Sequence, residues 1–175
     1  MHMNIFDAKR IIKKHQRKIP VQVVKIAKAL GAEVRTTTNW DDNLSGKILK
    51  RRMRNGKIGY VIFVNGNHHP NRQRFTIAHE IAHIVLHKNL IGNGIVTDGL
   101  YRSGLSNTIE WSANKFAGDM LMPSERVIEL LDEGVDSIDE LANEFQVSRA
   151  AMSIQMDWAW AWRMKWDSGE DSIKD

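Results

Sequence analysis

The stretch Arg72-Gln73-Arg74-Phe75-Thr76-Ile77-Ala78-His79-Glu80-Ile81-Ala82-His83 decides how the middle of this chain folds. Its apolar residues recur at helical spacing and predict a helix over about 71–87 with one buried face. His79 and His83 are four residues apart, so both imidazoles project from the same side of that helix. Glu80 lies beside them. This HExxH pattern is typical of a site in which two histidines bind zinc and the glutamate is the general base.

A catalytic zinc ion needs a third protein ligand and keeps one coordination position open. Glu110 follows on a second predicted helix, over about 108–121, whose apolar residues are also spaced for burial. The glycine-rich segment 88–108 between them predicts a loop that lets the two helices pack antiparallel. We therefore expect a metal site formed by His79, His83 and Glu110, and this ligand set favours zinc over manganese or iron.

Other candidate ligands fit this arrangement less well. His87 lies about 12 Å further along the helix axis than His79, and we interpret it as a structural or surface histidine. Asp98 falls in the predicted loop, and Asp119 is not on the same helix face as Glu110.

Two supporting roles remain open in the sequence. Asn114 lies one turn after Glu110, where its amide could hydrogen-bond a ligand histidine, although an ordinary surface amide is the alternative.

Glu80 is expected to take a proton from the attacking water and to deliver it to the leaving amine. A second group that stabilises the oxyanion is also expected. The candidates are Tyr101, Arg102, Tyr60 and Arg74, and the sequence does not choose among them.

The rest of the chain predicts an α+β fold, a mostly helical zincin-like metallopeptidase with a small antiparallel sheet and a helical C-terminal segment. Asn55-Gly56 predicts a tight hairpin turn between strands near 47–50 and 58–64. Helical segments are predicted before and after the sheet, with Ser137 and Ser148 as caps. We divide the chain into a metallopeptidase domain, residues 1–123, and a helical region, residues 124–175.

Composition limits the class of protein. The chain has 175 residues, 42% of them hydrophobic, and no cysteine, so a metal site must use His, Asp or Glu. The absence of cysteine and of long apolar runs predicts a cytoplasmic protein without membrane contact. The formal net charge is +4, and a basic cluster over residues 9–18 is interpreted as a solvated helix face rather than a nucleic-acid site.

The C-terminal third contains two features of interaction proteins. Residues 138–156 resemble a helix-turn-helix, in which only Arg149 and Gln155 look suited to reading DNA. A helical pair packed on the core or on a partner is the favoured alternative. Trp158, Trp162 and Trp166 fall on one helical face and predict a partner-binding or self-association surface, whereas buried packing is the usual fate of tryptophan.

These motifs together resemble a known family. The stretch 72–83, followed by Glu110-Trp111-Ser112-Ala113-Asn114-Lys115-Phe116-Ala117 and Leu121-Met122-Pro123, is similar to the ImmA/IrrE-type metallo-endopeptidases. The resemblance implies zinc at His79, His83 and Glu110, with Glu80 catalytic. It also implies a protein substrate, a transcriptional repressor of the helix-turn-helix Xre type, in mobile elements or stress responses. The tryptophan-rich end departs from the family pattern.

Two functions other than proteolysis remain open at this point. One is a non-proteolytic, metal-containing module that binds a regulator or a toxin–antitoxin partner. The other is a DNA-binding regulator that uses residues 138–156. A complete HExxH glutamate favours the peptidase, because a purely structural metal site needs no base. The oligomeric state is not predicted.

Overall fold

The structure is a computed structural model that describes residues 4–53, 56–91, 95–98 and 107–167, with only the backbone described for 95–98, 162 and 165–167. It confirms the predicted α+β class, mostly helical with a small sheet. The elements in chain order are α1 (Ile5–His15), α2 (Val23–Ala29), β1 (Ala32–Thr37), β2 (Leu44–Arg52), β3 (Ile58–Asn65), α3 (Pro70–Leu86), β4 (Ile95–Asp98), α4 (Asn107–Leu121), α5 (Ser124–Asp132), α6 (Ile138–Phe145) and α7 (Arg149–Asp167).

The sheet is mixed, and the prediction of an antiparallel sheet was wrong in this detail. Its strand order is β1-β3-β2-β4, and β1 runs parallel to β3. The short connection from β1 to β2 reverses the chain, and the hairpin from β2 to β3 reverses it again. Two reversals leave β1 and β3 pointing the same way, so β1 pairs in parallel with the edge of β3 that β2 leaves open.

Strand β4 lies inside the segment that the glycine pattern predicts to be a loop. It pairs antiparallel with β2, from Leu44 opposite Asp98 to Ile48 opposite Ile95, with an irregularity in the β2 register between Leu44 and Gly46. Its four residues are too few to show strand periodicity in sequence, and the partner strand is far away in the chain.

Helix α3 has a capped first turn and a buried apolar face. The ring of His69 caps its first turn, accepting a hydrogen bond from the backbone N–H of Asn71, and Pro70 occupies the first helical position. Its apolar face packs against α4, α2 and strands β2 and β3. Residues 76–84 are all buried. The HExxH motif therefore lies at the centre of the molecule.

One apolar core extends through both predicted regions. Ile26, Ile62, Ile81, Leu121 and Phe145 are all fully buried and belong to the same cluster. The two predicted regions, residues 1–123 and 124–175, thus share one apolar core, and their division into separate domains stays a prediction. Among the described helices, none has both the length and the apolar character that crossing a membrane requires.

Helix α1 connects to the opposite end of the chain. The side-chain amide of Gln16 donates to the carbonyl oxygens of Asp119 and Met120, at 2.9 and 3.1 Å. These carbonyls lie in the last turn of α4, which has no further helical N–H groups for them. An ion pair between Lys13 and Glu125 adds a contact to α5.

Helices α6 and α7 form the predicted helical pair. Ser137 caps α6, and the Ser148 hydroxyl accepts from the N–H of Ala151 in the first turn of α7. Gln155 is only 3% exposed, and its side-chain amide donates a hydrogen bond of 2.8 Å to the carbonyl oxygen of Met122. Arg149 forms an ion pair with Asp139. Burial makes Gln155 unavailable to a DNA groove, which weakens the interpretation of this pair as a DNA-reading element.

Candidate metal centre

Three side chains from two helices converge at the centre of the fold. His79 and His83 on α3 bring their Nε2 atoms to 3.0 Å from each other. Glu110 on α4 places Oε2 3.2 Å from His79 Nε2 and Oε1 3.8 Å from His83 Nε2. All three residues are buried, and one potential ligand atom from each lies within 4.8 Å of the others.

This donor set fits a zinc ion. Nitrogen and oxygen ligands lie about 2.0–2.2 Å from zinc, so two ligands at tetrahedral angles are about 3.4 Å apart. From His79 Nε2, the distances of 3.0 Å to His83 Nε2 and 3.2 Å to Glu110 Oε2 are close to that value, and the other carboxylate oxygen, Oε1, lies 3.8 Å from His83 Nε2. Two imidazoles and one carboxylate are also ligands that zinc accepts. His79, His83 and Glu110 can therefore hold one metal ion.

Burial and charge act in opposite directions on the two histidines. Burial alone would lower the pKa of His79, but its hydrogen bond with Glu110 and the charges of Glu80 and Glu110 outweigh that effect and raise the pKa. Burial and the nearby His79 lower the pKa of His83, although Glu110 opposes the change. A positive charge on one ring therefore opposes protonation of the other.

Each ligand histidine has a partner on its second ring nitrogen. Asn114 Oδ1 lies 2.9 Å from His79 Nδ1. An amide oxygen accepts, so Nδ1 carries the proton and Nε2 presents its lone pair to the centre. For His83 the partner is His87, whose Nδ1 lies 3.2 Å from His83 Nδ1. Beyond it, His87 Nε2 lies 3.2 Å from Ser112 Oγ.

Glu80 lies against the sheet with no exposed surface. Gly46 on β2 permits this approach, because a Cβ added there would lie 2.5 Å from Thr76 Cγ2 and 3.0 Å from Glu80 Oε1. Any side chain at position 46 would therefore displace Thr76 or Glu80. Gly46 therefore leaves the space that the Glu80 carboxylate occupies.

A cavity of about 540 Å³ adjoins the centre. Residues from α3, α4 and α7 line it, among them Phe75, Trp111, Asn114, Gly118, Ile154 and Trp158. Asn114 both contacts His79 and lines the cavity, whereas His79, His83 and Glu110 themselves do not line it. Its walls are mainly apolar and aromatic, which suits an apolar side chain.

The predicted oxyanion donors are only partly within the described structure. Tyr101 and Arg102 lie outside the described residues. Arg74 donates to the carbonyl oxygens of Gln146 and Phe145 at the end of α6, so it supports the helical pair rather than the centre. Tyr60 lies on β3 and packs against the core.

The predicted tryptophan surface is described at one position. Trp158 is 42% exposed, and its ring lies 6.4 Å from that of Trp111, with Lys115 Nζ 4.8 Å from its centroid. The side chains of Trp162 and Trp166 lie outside the described part of the chain. The surface formed by all three remains a prediction.

Sequence reasoning did not identify the positions of His87, Ser112 and Gly46 beside the centre. From sequence, His87 is interpreted as a structural or surface histidine, and its i,i+4 relation to His83 places the two rings side by side. Ser112 stands two positions after Glu110 with no motif to mark it. Gly46 resembles any strand glycine until the helix that crosses it is known.

Fold and site together define a domain of the metallopeptidase class: a helix with HExxH, a carboxylate from a second helix and a small sheet beside them. The sequence model of a protein family, described as the IrrE N-terminal-like domain, matches residues 27–156. The chain belongs to this family of peptidases.

Two curated relatives, both named radiation response metalloprotease IrrE, match part of the chain. That of Deinococcus deserti is 37% identical over 76 residues, which are 41% of this chain and 26% of the relative. That of Deinococcus radiodurans is 33% identical over 96 residues, 52% of this chain and 29% of the relative. The chain thus spans less than a third of either relative's length.

A solved structure supports the fold. The structure of a Mycobacterium tuberculosis transcriptional regulator has a TM-score of 0.55 and 20% sequence identity, and the match covers 87% of this chain and 46% of that one.

Proposed function

We propose that this chain is a zinc-dependent endopeptidase in which His79, His83 and Glu110 hold the metal and Glu80 is the general base. The observation that carries the proposal is the buried set of three donors from two helices, within 4.8 Å of one another. Glu80 adjoins His79 in the chain and contributes to raising its pKa, so its charge acts on this centre. A structural zinc site would have four protein ligands and no need of a base.

The residues divide the chemistry of peptide hydrolysis. A bound zinc ion would lower the pKa of water and polarise the carbonyl of the scissile bond. Glu80 would accept a proton from the attacking water and pass it to the leaving amine. Asn114 would keep His79 in the tautomer that ligation requires. The absence of a side chain at Gly46 would leave Glu80 the space it occupies, since an added Cβ there would lie 3.0 Å from Glu80 Oε1.

The proposed substrate is a protein, and the cavity beside Asn114 would receive one of its apolar side chains. Its volume of about 540 Å³ exceeds that of any single side chain, so it would also admit part of the substrate backbone. We further propose a helix-turn-helix repressor of the Xre type as the natural substrate, as the ImmA/IrrE resemblance implies.

The test uses the zinc-loaded protein and a repressor encoded beside it. Mass spectrometry of the mixture should find one or a few cleavage sites in the repressor. The matched control is Glu80→Gln, which preserves the size of the side chain and should retain zinc while losing at least about 10²-fold in turnover. Full activity of Glu80→Gln would refute the assignment of the base. Tight binding of the repressor without any cleavage would instead support a non-proteolytic module.

A further inference from the structure

We propose that His87 and Ser112 are positioning residues that hold His83 in the tautomer needed for metal binding. The inference rests on the proposed metal site. His83, His87 and Ser112 form a continuous hydrogen-bond chain: His83 Nδ1 lies 3.2 Å from His87 Nδ1, and His87 Nε2 lies 3.2 Å from Ser112 Oγ. Ser112 Oγ in turn lies 2.8 Å from the carbonyl oxygen of Ile109.

The last acceptor fixes the direction of the whole chain. The carbonyl oxygen of Ile109 can only accept, so the Ser112 hydroxyl must donate to it. Having used its one proton there, the hydroxyl accepts from His87, and the His87 proton must be on Nε2. A neutral His87 protonated on Nε2 has a lone pair on Nδ1, which accepts from the Nδ1–H of His83.

The consequence appears at the metal centre. A neutral His83 with its proton on Nδ1 has a lone pair on Nε2, the atom that lies 3.0 Å from His79 Nε2 and 3.8 Å from Glu110 Oε1. Without an acceptor beside Nδ1, the ring could carry its proton on Nε2, where no metal could bind. A His83 ring protonated on Nε2 would have to change its tautomer before it could bind metal. The hydrogen bonds through His87 and Ser112 therefore raise the fraction of protein that can bind metal.

The same chain joins the two helices that carry the ligands. It starts on α3 at His83 and ends on α4 at Ile109, the residue before Glu110. The contact from His79 to Asn114 makes a second connection between α3 and α4. Both histidines are thereby oriented by the helix that supplies the carboxylate.

The tautomer can be observed directly in the metal-free protein. Two-dimensional ¹⁵N–¹H spectra that correlate ring nitrogens with ring protons distinguish a protonated from a bare imidazole nitrogen. We expect His83 protonated on Nδ1 and His87 protonated on Nε2 near neutral pH. A His83 ring protonated on Nε2 would overturn the proposal, as would rapid exchange between both tautomers.

Substitutions provide a second readout, the dissociation constant for zinc. His87→Phe keeps a ring but removes the acceptor, and it should weaken zinc binding by about 10- to 100-fold. His87→Gln can accept through its amide oxygen and donate through its amide nitrogen, so it should restore most of the affinity. Ser112→Ala should fall between wild type and His87→Phe, since it removes only the far anchor.

The matched control is His15→Phe, the same substitution at another half-buried histidine, on α1. It should leave zinc affinity within about twofold of wild type, because α1 contributes neither a proposed metal ligand nor a hydrogen-bond partner of the ligand histidines. Equal zinc affinity in His87→Phe and wild type, with both folded by circular dichroism, would overturn the inference. Equal losses in His87→Phe and His87→Gln would also overturn it, since only the former lacks an acceptor.

These experiments separate the inference from the proposed function. Tautomers and zinc affinity are measured without any substrate, so a failure to cleave repressor leaves them unaffected. If wild-type protein binds no zinc at all, the proposed metal site fails. If wild type binds zinc and the variants bind it equally well, only the role of His87 and Ser112 fails.

Discussion

His83 has no exposed surface and is in contact with His79, Glu110 and His87. Alanine there removes one proposed ligand and leaves the carboxylate and the other imidazole facing an empty space. We expect His83→Ala to lose both zinc binding and peptidase activity, whereas Glu80→Gln loses only activity. Metal content after dialysis, compared with turnover, measures the difference. A His83→Ala protein that retained one zinc per chain would contradict the ligand assignment.

The raised pKa of His79 predicts how zinc binding depends on pH. Zinc binds the neutral ring, so a proton on His79 competes with the metal. Above the raised pKa the ring is neutral and this competition vanishes. Below it, the apparent affinity should fall by about tenfold for each pH unit, as one proton must be displaced. Titration with a zinc indicator between pH 8 and pH 5 checks this, and a flat affinity would contradict it.

At the scale of elements, the contact between β2 and α3 depends on the missing side chain of Gly46. Gly46→Ala should destabilise the fold by about 1–3 kcal/mol because the new methyl overlaps Thr76 Cγ2. It should also lower turnover, because the methyl approaches Glu80 Oε1 at 3.0 Å. Urea denaturation and turnover of zinc-loaded protein measure the two effects.

A double variant separates the two contacts of that methyl. Thr76→Ser removes Cγ2, so Gly46→Ala with Thr76→Ser should regain stability while turnover stays low. Thr76→Ser alone is the control and should retain activity. If turnover of the double variant recovered together with stability, the position of Glu80 would not depend on Gly46.

The elements that could be predicted from sequence are those with local signals. Helices α3 and α4 follow from their 3.6-residue apolar period. The antiparallel pairing of β2 with β3 agrees with the predicted hairpin, although Asn55 of the predicted Asn55-Gly56 turn lies outside the described residues. The parallel pairing of β1 and the strand β4 depend on partners distant in the chain, which no local period records. The approach of His79 and His83 was predictable because the two residues are four apart on one helix. The hydrogen bonds that connect His83 to Ser112 through His87 could not be predicted, because they depend on how α4 is oriented against α3.

For the whole molecule, the core predicts that zinc is not needed for folding. Ile26, Ile81, Leu121 and Phe145 are fully buried in one apolar cluster whose members do not include the proposed ligands. Removal of zinc by a chelator should therefore leave the helical circular-dichroism signal unchanged. The melting temperature should fall, because zinc at 1,000 times its dissociation constant stabilises the folded state by about 4 kcal/mol.

Adding zinc back to the chelated protein is the control, and it should restore both melting temperature and activity. A chelated protein without helical signal would contradict the prediction, because folding would then depend on the metal, as in small zinc fingers.

The hydrogen bonds from Gln16 to the carbonyls of Asp119 and Met120 join positions 103 and 104 residues apart. During synthesis, the amino-terminal helix leaves the ribosome long before its acceptors exist. These two hydrogen bonds can form only after residues 119 and 120 have been synthesised, and until then α1 can pack only on the nearer helices, α2 and α3. Completion of the fold is consequently a late event, and a nascent chain arrested before residue 119 should be sensitive to protease at its amino-terminal end.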